Sequence, residues 1–172
     1  YPPEMYANML GLTSESTRTI ALPSPFLDKH RPIAITGDAT TLYAQRGPQM
    51  TAKIQSYVEA IVQATPGHVA VFAPSYYMLN EILDSRQWPG IRLLLEEREW
   101  NKQRTDRLLQ DLEEARQRGT RILLGGVFGG KLAEGIDYHN SLLDSAVCIG
   151  IPMAPPSVES KALQRYLQDK FG

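Results

Sequence analysis

The feature that most constrains this chain is His68-Val69-Ala70-Val71-Phe72-Ala73, a continuous apolar run set between Pro66-Gly67 and Pro74-Ser75. A run this short and this apolar, closed by turn residues on both sides, has the pattern of a strand buried on both faces. Such strands occur in parallel sheets, and parallel neighbours need crossover helices. The surrounding sequence supplies them. Residues 48–64 place Met50, Ile54, Tyr57, Val58 and Ile61 on one helix face, and Pro66-Gly67 stops that helix. A second helix is expected over residues 76–83. Residues 99–118 make the longest, with Leu108, Leu112 and Ala115 on one stripe and Gly119 as its C-cap. Residues 157–170 make the last, with Val158, Leu163, Tyr166 and Leu167 apolar.

Further strands are expected at Ile33-Ala34-Ile35-Thr36, at residues 91–95 and 121–125, and at residues 145–151, where Pro152 closes the run. Upstream, Pro2, Pro3, Pro23, Pro25 and Pro32 break any long helix. Residues 1–32 therefore read as an irregular lead-in with a short helix at 4–10, ending at Gly11, and one short strand at 18–22. Residues 33–172 read as the core of a single domain. Apolar strands alternating with amphipathic helices imply an α/β fold, a parallel sheet with helices on both faces. In such sheets ligands bind at the carboxyl ends of the strands. That directs attention to the loops after Ala73, Gly125 and Ile151.

Composition narrows the function classes. The 172 residues make about one domain, and 42% hydrophobic with 22% charged residues exclude disorder, collagen-like repeats and a disulfide scaffold. No apolar run is long enough to span a bilayer, so no membrane partner is expected. The start, Tyr1-Pro2-Pro3-Glu4, has neither the Met of an initiator nor the features of a signal peptide, and reads as a fragment or processed chain inside the cell. A net charge of −1 excludes a uniformly basic surface but leaves room for a local basic groove. The lone Cys148 reads as a small core residue in mid-strand. His30, His68 and His139 are scattered, which leaves no zinc-finger spacing, and they read as structural or exposed. Acidic and basic residues balance between Glu96 and Arg121, the pattern of a solvated helix face.

Gly125-Gly126-Val127-Phe128-Gly129-Gly130-Lys131-Leu132 fits G-x-x-x-x-G-K after a buried strand, the spacing of a phosphate-binding loop. Leu132 stands where that loop needs a hydroxyl for Mg²⁺, and Gly135-Ile136-Asp137-Tyr138 interrupts the helix it should open. Three readings follow. One is a self-contained P-loop NTPase or kinase. Another is a loop whose N–H groups and Lys131 meet a polyanion, either a nucleotide or a nucleic-acid backbone. The third is a non-catalytic binding domain with a glycine-rich turn. Asp137 reads either as an acceptor for ribose hydroxyls or as a turn residue.

The run Gly129-Gly130-Lys131-Leu132-Ala133-Glu134-Gly135-Ile136-Asp137-Tyr138 resembles motif V of the XPD/DinG family of superfamily 2 DNA helicases. Ala133 replaces the usual Ser, and Tyr138 the usual Phe. Ser24-Pro25-Phe26 resembles that family's SPF segment, residues 67–76 its motif IV, and Ile149-Gly150-Ile151-Pro152 its GIP stretch. Residues 40–46 resemble a TT-x-Y…R segment. The likeness covers nearly the whole chain, in order. It implies the second RecA-like motor domain of an ATP-dependent 5′-to-3′ DNA helicase, acting in repair.

By the same resemblance, Glu134, Gly135 and Asp137 lie near a nucleotide between two motor domains. Phe128, Gly130 and Lys131 lie near the DNA backbone, and Ser75 and Tyr76 face the single strand. A hydroxyl at a helix N-terminus suits phosphate, and an aromatic ring suits a base. For Tyr76, half-buried packing is the open alternative. For Arg46 the choices are a DNA contact or a plain surface arginine. The implied partners are single-stranded DNA and the first RecA-like domain, and ATP with Mg²⁺ is shared with that domain. An iron–sulfur cluster, if present, belongs to that other part. No catalytic residue and no metal ligand is assigned here. The arginine-finger segment Gln-x-x-Gly-Arg-x-x-Arg does not occur in this sequence, so the isolated chain is expected to be inactive.

Overall fold

The computed structural model describes residues 3–12, 17–30, 32–151 and 156–171. They fall into two units, residues 36–153 and residues 1–35 with 154–172.

In the larger unit the apolar run before Pro74 forms β1 (Val69–Ala73), buried except at Phe72, which is half-buried. It lies between β3 (Ile122–Val127) and β4 (Ser145–Cys148), and β3 carries β2 (Arg92–Leu95) on its far side. All pairings are parallel, in the order β2-β3-β1-β4, with Val71 opposite both Gly125 and Val147. The sheet is the parallel α/β arrangement expected. Helices cover both faces. Val69, Val71 and Ala73 turn to one side, where α2 (Pro48–Ala64) brings Ile54, Val58 and Val62, and α3 (Tyr76–Leu83) brings Leu79 and Leu83. Ala70 turns to the other side, against Leu108 and Leu112 of α4 (Lys102–Gln117) and against Ile122, Leu124 and Leu132. This is the period-two alternation of a strand packed by helices on each face. Each fully buried leucine of this kind contributes about 1.5–3 kcal/mol of transfer free energy.

Local chemistry sets the helix ends. Ser75 caps α3 by accepting the Met78 N–H at 3.3 Å, and Asn101 caps α4 by accepting the Arg104 N–H at 2.9 Å. The Asn101 cap is why α4 begins at Lys102 rather than at 99. At its far end Gly119 takes a φ of 69°, the Thr120 N–H reaches the Ala115 carbonyl at 2.8 Å and the Gly119 N–H reaches the Arg116 carbonyl at 3.1 Å. These two bonds form a Schellman closure. His68 ties α4 to β3 on one face of the sheet. Its buried ring accepts the Ile122 N–H at Nδ1 (3.0 Å), so Nε2 carries the proton donated to the Leu112 carbonyl at 2.9 Å. Burial holds its pKa below the ordinary histidine value.

Several expectations are corrected. Residues 18–22 and 33–36 form no strand. Ile20, Ile33 and Ile35 are 73%, 78% and 90% exposed, so these runs have no buried face on which a strand could pack. β3 does not stop at Gly125 but runs on through Gly126 and Val127, because Gly125 pairs with Val71 and Val127 with Ala73. β4 ends at Cys148. Among the described residues it pairs along one side only, its alternate residues face outward, and Cys148 is exposed rather than a core residue. The buried stripe of α2 is Ile54-Val58-Val62, and Ile61 lies off it, 37% exposed.

The unit with the chain ends contains α1 (Pro3–Met9) and α5 (Val158–Phe171), near the expected bounds. In α5, Val158, Leu163 and Tyr166 are exposed and Leu167 is half-buried. The readings at Tyr1, Pro2 and Pro152 lie outside the described residues. No helix among the described residues is long and apolar enough to cross a membrane.

Candidate functional site

Because the strands are parallel, their carboxyl ends share one edge. That edge is organised by a residue that closes an apolar strand, Glu96. It follows β2 directly, yet is only 3% exposed. Its carboxylate accepts three donors. The Val127 N–H reaches Oε2 at 3.1 Å, the Lys131 N–H reaches Oε1 at 2.8 Å, and the Tyr76 hydroxyl reaches Oε1 at 3.2 Å. The Glu96 N–H is itself held by the Gly125 carbonyl at 2.8 Å. Every partner of the carboxylate is a donor, which is the demand an acceptor-only group satisfies. One side chain thus ties the first residue of α3 to both ends of the glycine-rich loop.

The glycines are explained by this arrangement. A Cβ on Gly130 would stand 2.6 and 2.7 Å from the two Glu96 oxygens and 2.7 Å from Val127 Cγ2. Without a side chain, the loop closes onto the carboxylate. Gly125 is a core position, where a Cβ would meet Leu95 at 2.5 Å and Leu83 at 2.8 Å.

The same geometry decides against a phosphate cradle. A P-loop aims free backbone N–H groups at phosphates from a helix N-terminus. Here the Val127 and Lys131 N–H groups go to Glu96, Phe128 N–H to the Ala73 carbonyl at 3.0 Å, and Gly130 N–H to the Val127 carbonyl at 2.9 Å. Residues 131–135 are turns and bends, so no helix follows. The protein's own carboxylate sits where the anion would.

Around this clasp stand several of the residues singled out in the sequence. Ser75 is exposed at the α3 N-terminus, with its oxygen engaged by the Met78 N–H. Tyr76 is half-buried, its ring 5.1 Å from the Arg98 guanidinium. Burial and the negative charge of Glu96 push its phenol pKa up. Phe128 is half-buried, its ring centroid 6.4 Å from that of Phe72. Lys131 is exposed, and among the described residues its ammonium has no ion-pair partner. The backbone of Lys131 is therefore held by Glu96, while its ammonium is exposed.

Glu134, Gly135 and Asp137 lie beyond the clasp. Glu134 N–H bonds the Gly130 carbonyl at 3.2 Å, Gly135 takes a φ of 78°, and the side chains of Glu134 and Asp137 are exposed. Tyr138 anchors the stretch from below, donating to the Leu132 carbonyl at 2.8 Å, and burial raises its pKa. Arg46 stands apart, beyond β4. It is exposed, its Nε donates to the Thr41 carbonyl at 3.0 Å, and Thr41 packs where a Cβ on Gly150 would meet it at 2.8 Å. The edge thus runs, in strand order, Glu96, the glycine-rich loop, Ser75 with Tyr76, then Thr41 with Arg46. At the usual strand spacing that row is about 14 Å long.

Among the described residues, no three His, Cys, Asp or Glu side chains gather as a metal site. Glu134 and Asp137 are exposed carboxylates without a third partner, so these residues do not fit a Mg²⁺ cage of their own. Nor does the single exposed thiol of Cys148 fit an iron–sulfur cluster, which takes four ligands. Glu96 was missed by sequence reasoning, where it merged with the charged run up to Arg121. The available signal was an acid directly after an apolar strand, at the carboxyl edge of a parallel sheet.

A helicase C-terminal domain model matches residues 58–172. The chain is 30% identical over 137 residues to the ATP-dependent DNA helicase XPD of Sulfolobus acidocaldarius, covering 78% of this chain and 23% of that protein. It is 31% identical over 128 residues to the ATP-dependent DNA helicase CHL1 of Coccidioides immitis, covering 66% of this chain and 15% of the relative. Among solved structures, an XPD in its apo form superposes with a TM-score of 0.57 at 28% identity, over 78% of this chain and 26% of that one. The chain therefore spans less than a quarter of the length of these curated relatives.

Proposed function

The chain belongs to the helicase C-terminal domain family, as a RecA-like domain of the XPD kind, and on that premise we propose that it is the second motor domain of an ATP-dependent DNA helicase. Its share of the work is to hold single-stranded DNA along the carboxyl edge of the sheet. Lys131 meets a backbone phosphate, Ser75 and the α3 N-terminus meet another, and Arg46 extends the row beyond β4. The ring of Tyr76 meets a base, with its hydroxyl held by Glu96 and one face covered by Arg98. Glu134, Gly135 and Asp137 face a nucleotide shared with the first RecA-like domain. Mg²⁺ arrives with the nucleotide's phosphates rather than on ligands of this chain. Movement runs 5′ to 3′, and the protein works inside the cell, in DNA repair.

The observation that carries this reading is Lys131, an exposed cation without an ion-pair partner among the described residues, on a backbone fixed by a buried carboxylate. Such a device suits a polyanion that passes over the edge. The test is DNA-stimulated ATP hydrolysis and unwinding by the intact protein that carries this chain. Lys131→Ala and Asp137→Ala are each expected to lower both. Full activity in either variant overturns that residue's assignment.

A further inference from the structure

We propose that Glu96 is a positioning residue that couples the two DNA-facing segments, so that the α3 N-terminus and the Lys131 loop act as one gripping unit. The proposal rests on the reading of Lys131 as a DNA contact. Three observations lead to it. First, the carboxylate is buried at 3% exposure, yet its partners come from separate elements: Tyr76 from α3, and Val127 and Lys131 from the end of β3 and the loop beyond. Second, the loop is built to receive it. Gly130 leaves room for both oxygens, where a Cβ would stand 2.6 and 2.7 Å away. Third, the bond to Lys131 is made by the backbone N–H and not by the ammonium, so Glu96 sets where the charge is presented without neutralising it.

A carboxylate with two acceptor oxygens can serve all three donors, but an amide cannot. In Glu96→Gln the NH₂ replaces one oxygen, so either Val127 or Lys131 is left with its N–H facing another donor. The loop then loses its fixed register against α3, while fold, volume and the exposed surface are kept.

The experiment is a double-mutant cycle in the intact protein, with Glu96→Gln, Lys131→Ala and the pair. It reads the DNA concentration that half-saturates ATP hydrolysis. Coupled groups give non-additive losses. Glu96→Gln is expected to raise the half-saturating DNA concentration while the KM for ATP stays at its wild-type value. The loss in the pair is expected to fall short of the product of the single losses by about twofold or more. A merely structural role lowers the active fraction, and so kcat, without moving the half-saturation point. That result overturns the proposal, as do multiplicative losses. If Lys131→Ala alone leaves the half-saturation point unchanged, the reading of the site fails and this proposal falls with it. If Lys131→Ala weakens DNA binding and Glu96→Gln does not, only the coupling fails. Should Glu96→Gln not fold, Tyr76→Phe removes just the third bond to the same carboxylate. In its cycle with Lys131→Ala, non-additive losses support the coupling and multiplicative losses overturn it.

Discussion

Gly130→Ala tests the clasp at its tightest point. The added methyl would lie 2.6 and 2.7 Å from the Glu96 oxygens and 2.7 Å from Val127 Cγ2. Favourable carbon contacts lie at about 3.5–4.0 Å, so the neighbours must shift by the better part of an ångström. Forcing a methyl into packed surroundings costs about 1–3 kcal/mol. Stiffening the unfolded chain returns about 0.4–1 kcal/mol of that. Taken from the middles of these two ranges, a net loss of about 1–2 kcal/mol remains if Glu96 keeps its donors. Displacing the carboxylate adds about 1–3 kcal/mol for each N–H left unpaired in the interior. For a chain of 172 residues the smaller loss corresponds to a fall in Tm of about 2–8 °C. The assay is urea and thermal denaturation followed by circular dichroism, with Gly37→Ala as control, since nothing lies within 4 Å of a Cβ there. The control should match or slightly exceed wild type. If Gly130→Ala is as stable as Gly37→Ala, the loop is not closed on Glu96 and the site geometry is wrong.

Two further outcomes follow from the structure. His68 is buried neutral, with its folded pKa below the ordinary 6.5. Between the two values the unfolded chain binds more protons. Stability is therefore flat above about pH 6.5, falls as the pH drops through the window down to the folded pKa, and levels off beneath it. Urea midpoints across about pH 4–8 should show this fall, and His68→Gln should remove it; a wild-type profile without it contradicts the buried neutral ring. Calorimetric titration of the isolated chain with Mg-ATP should detect no micromolar site, because Glu96 and the neighbouring carbonyls hold the loop's amides. Micromolar binding would restore the P-loop reading.

The fold was readable because its signals are local. The apolar run of β1, the stripe Leu108-Leu112-Ala115 and the closure at Gly119 each follow from a few neighbouring residues. The segments 18–22 and 33–36 carry β-branched residues but have no partner strand, and pairing is a tertiary property that composition does not carry. The glycine-rich loop stands out in the sequence, but its purpose was not legible there. From the sequence, Gly125, Gly126 and Gly130 look like backbone freedom for an external phosphate. In the structure Gly125 lies in a strand against Leu95, and Gly130 makes room for the carboxylate that follows β2, the neighbour of β3. The Glu96 contacts join residues 20 to 35 apart in sequence, beyond any local pattern. The resemblance to motif V singles out the same loop, on grounds that residue spacing alone does not supply.

The central claim is that Lys131 presents its charge to a nucleic-acid backbone. Its most direct test is the salt dependence of single-stranded DNA affinity for the intact protein, measured by fluorescence anisotropy for wild type and Lys131→Ala. Each phosphate neutralised on a single strand contributes about 0.7 to the slope of log affinity against log salt concentration. The account predicts weaker binding by the variant and a slope shallower by about 0.7. Equal affinity with an unchanged slope would contradict it.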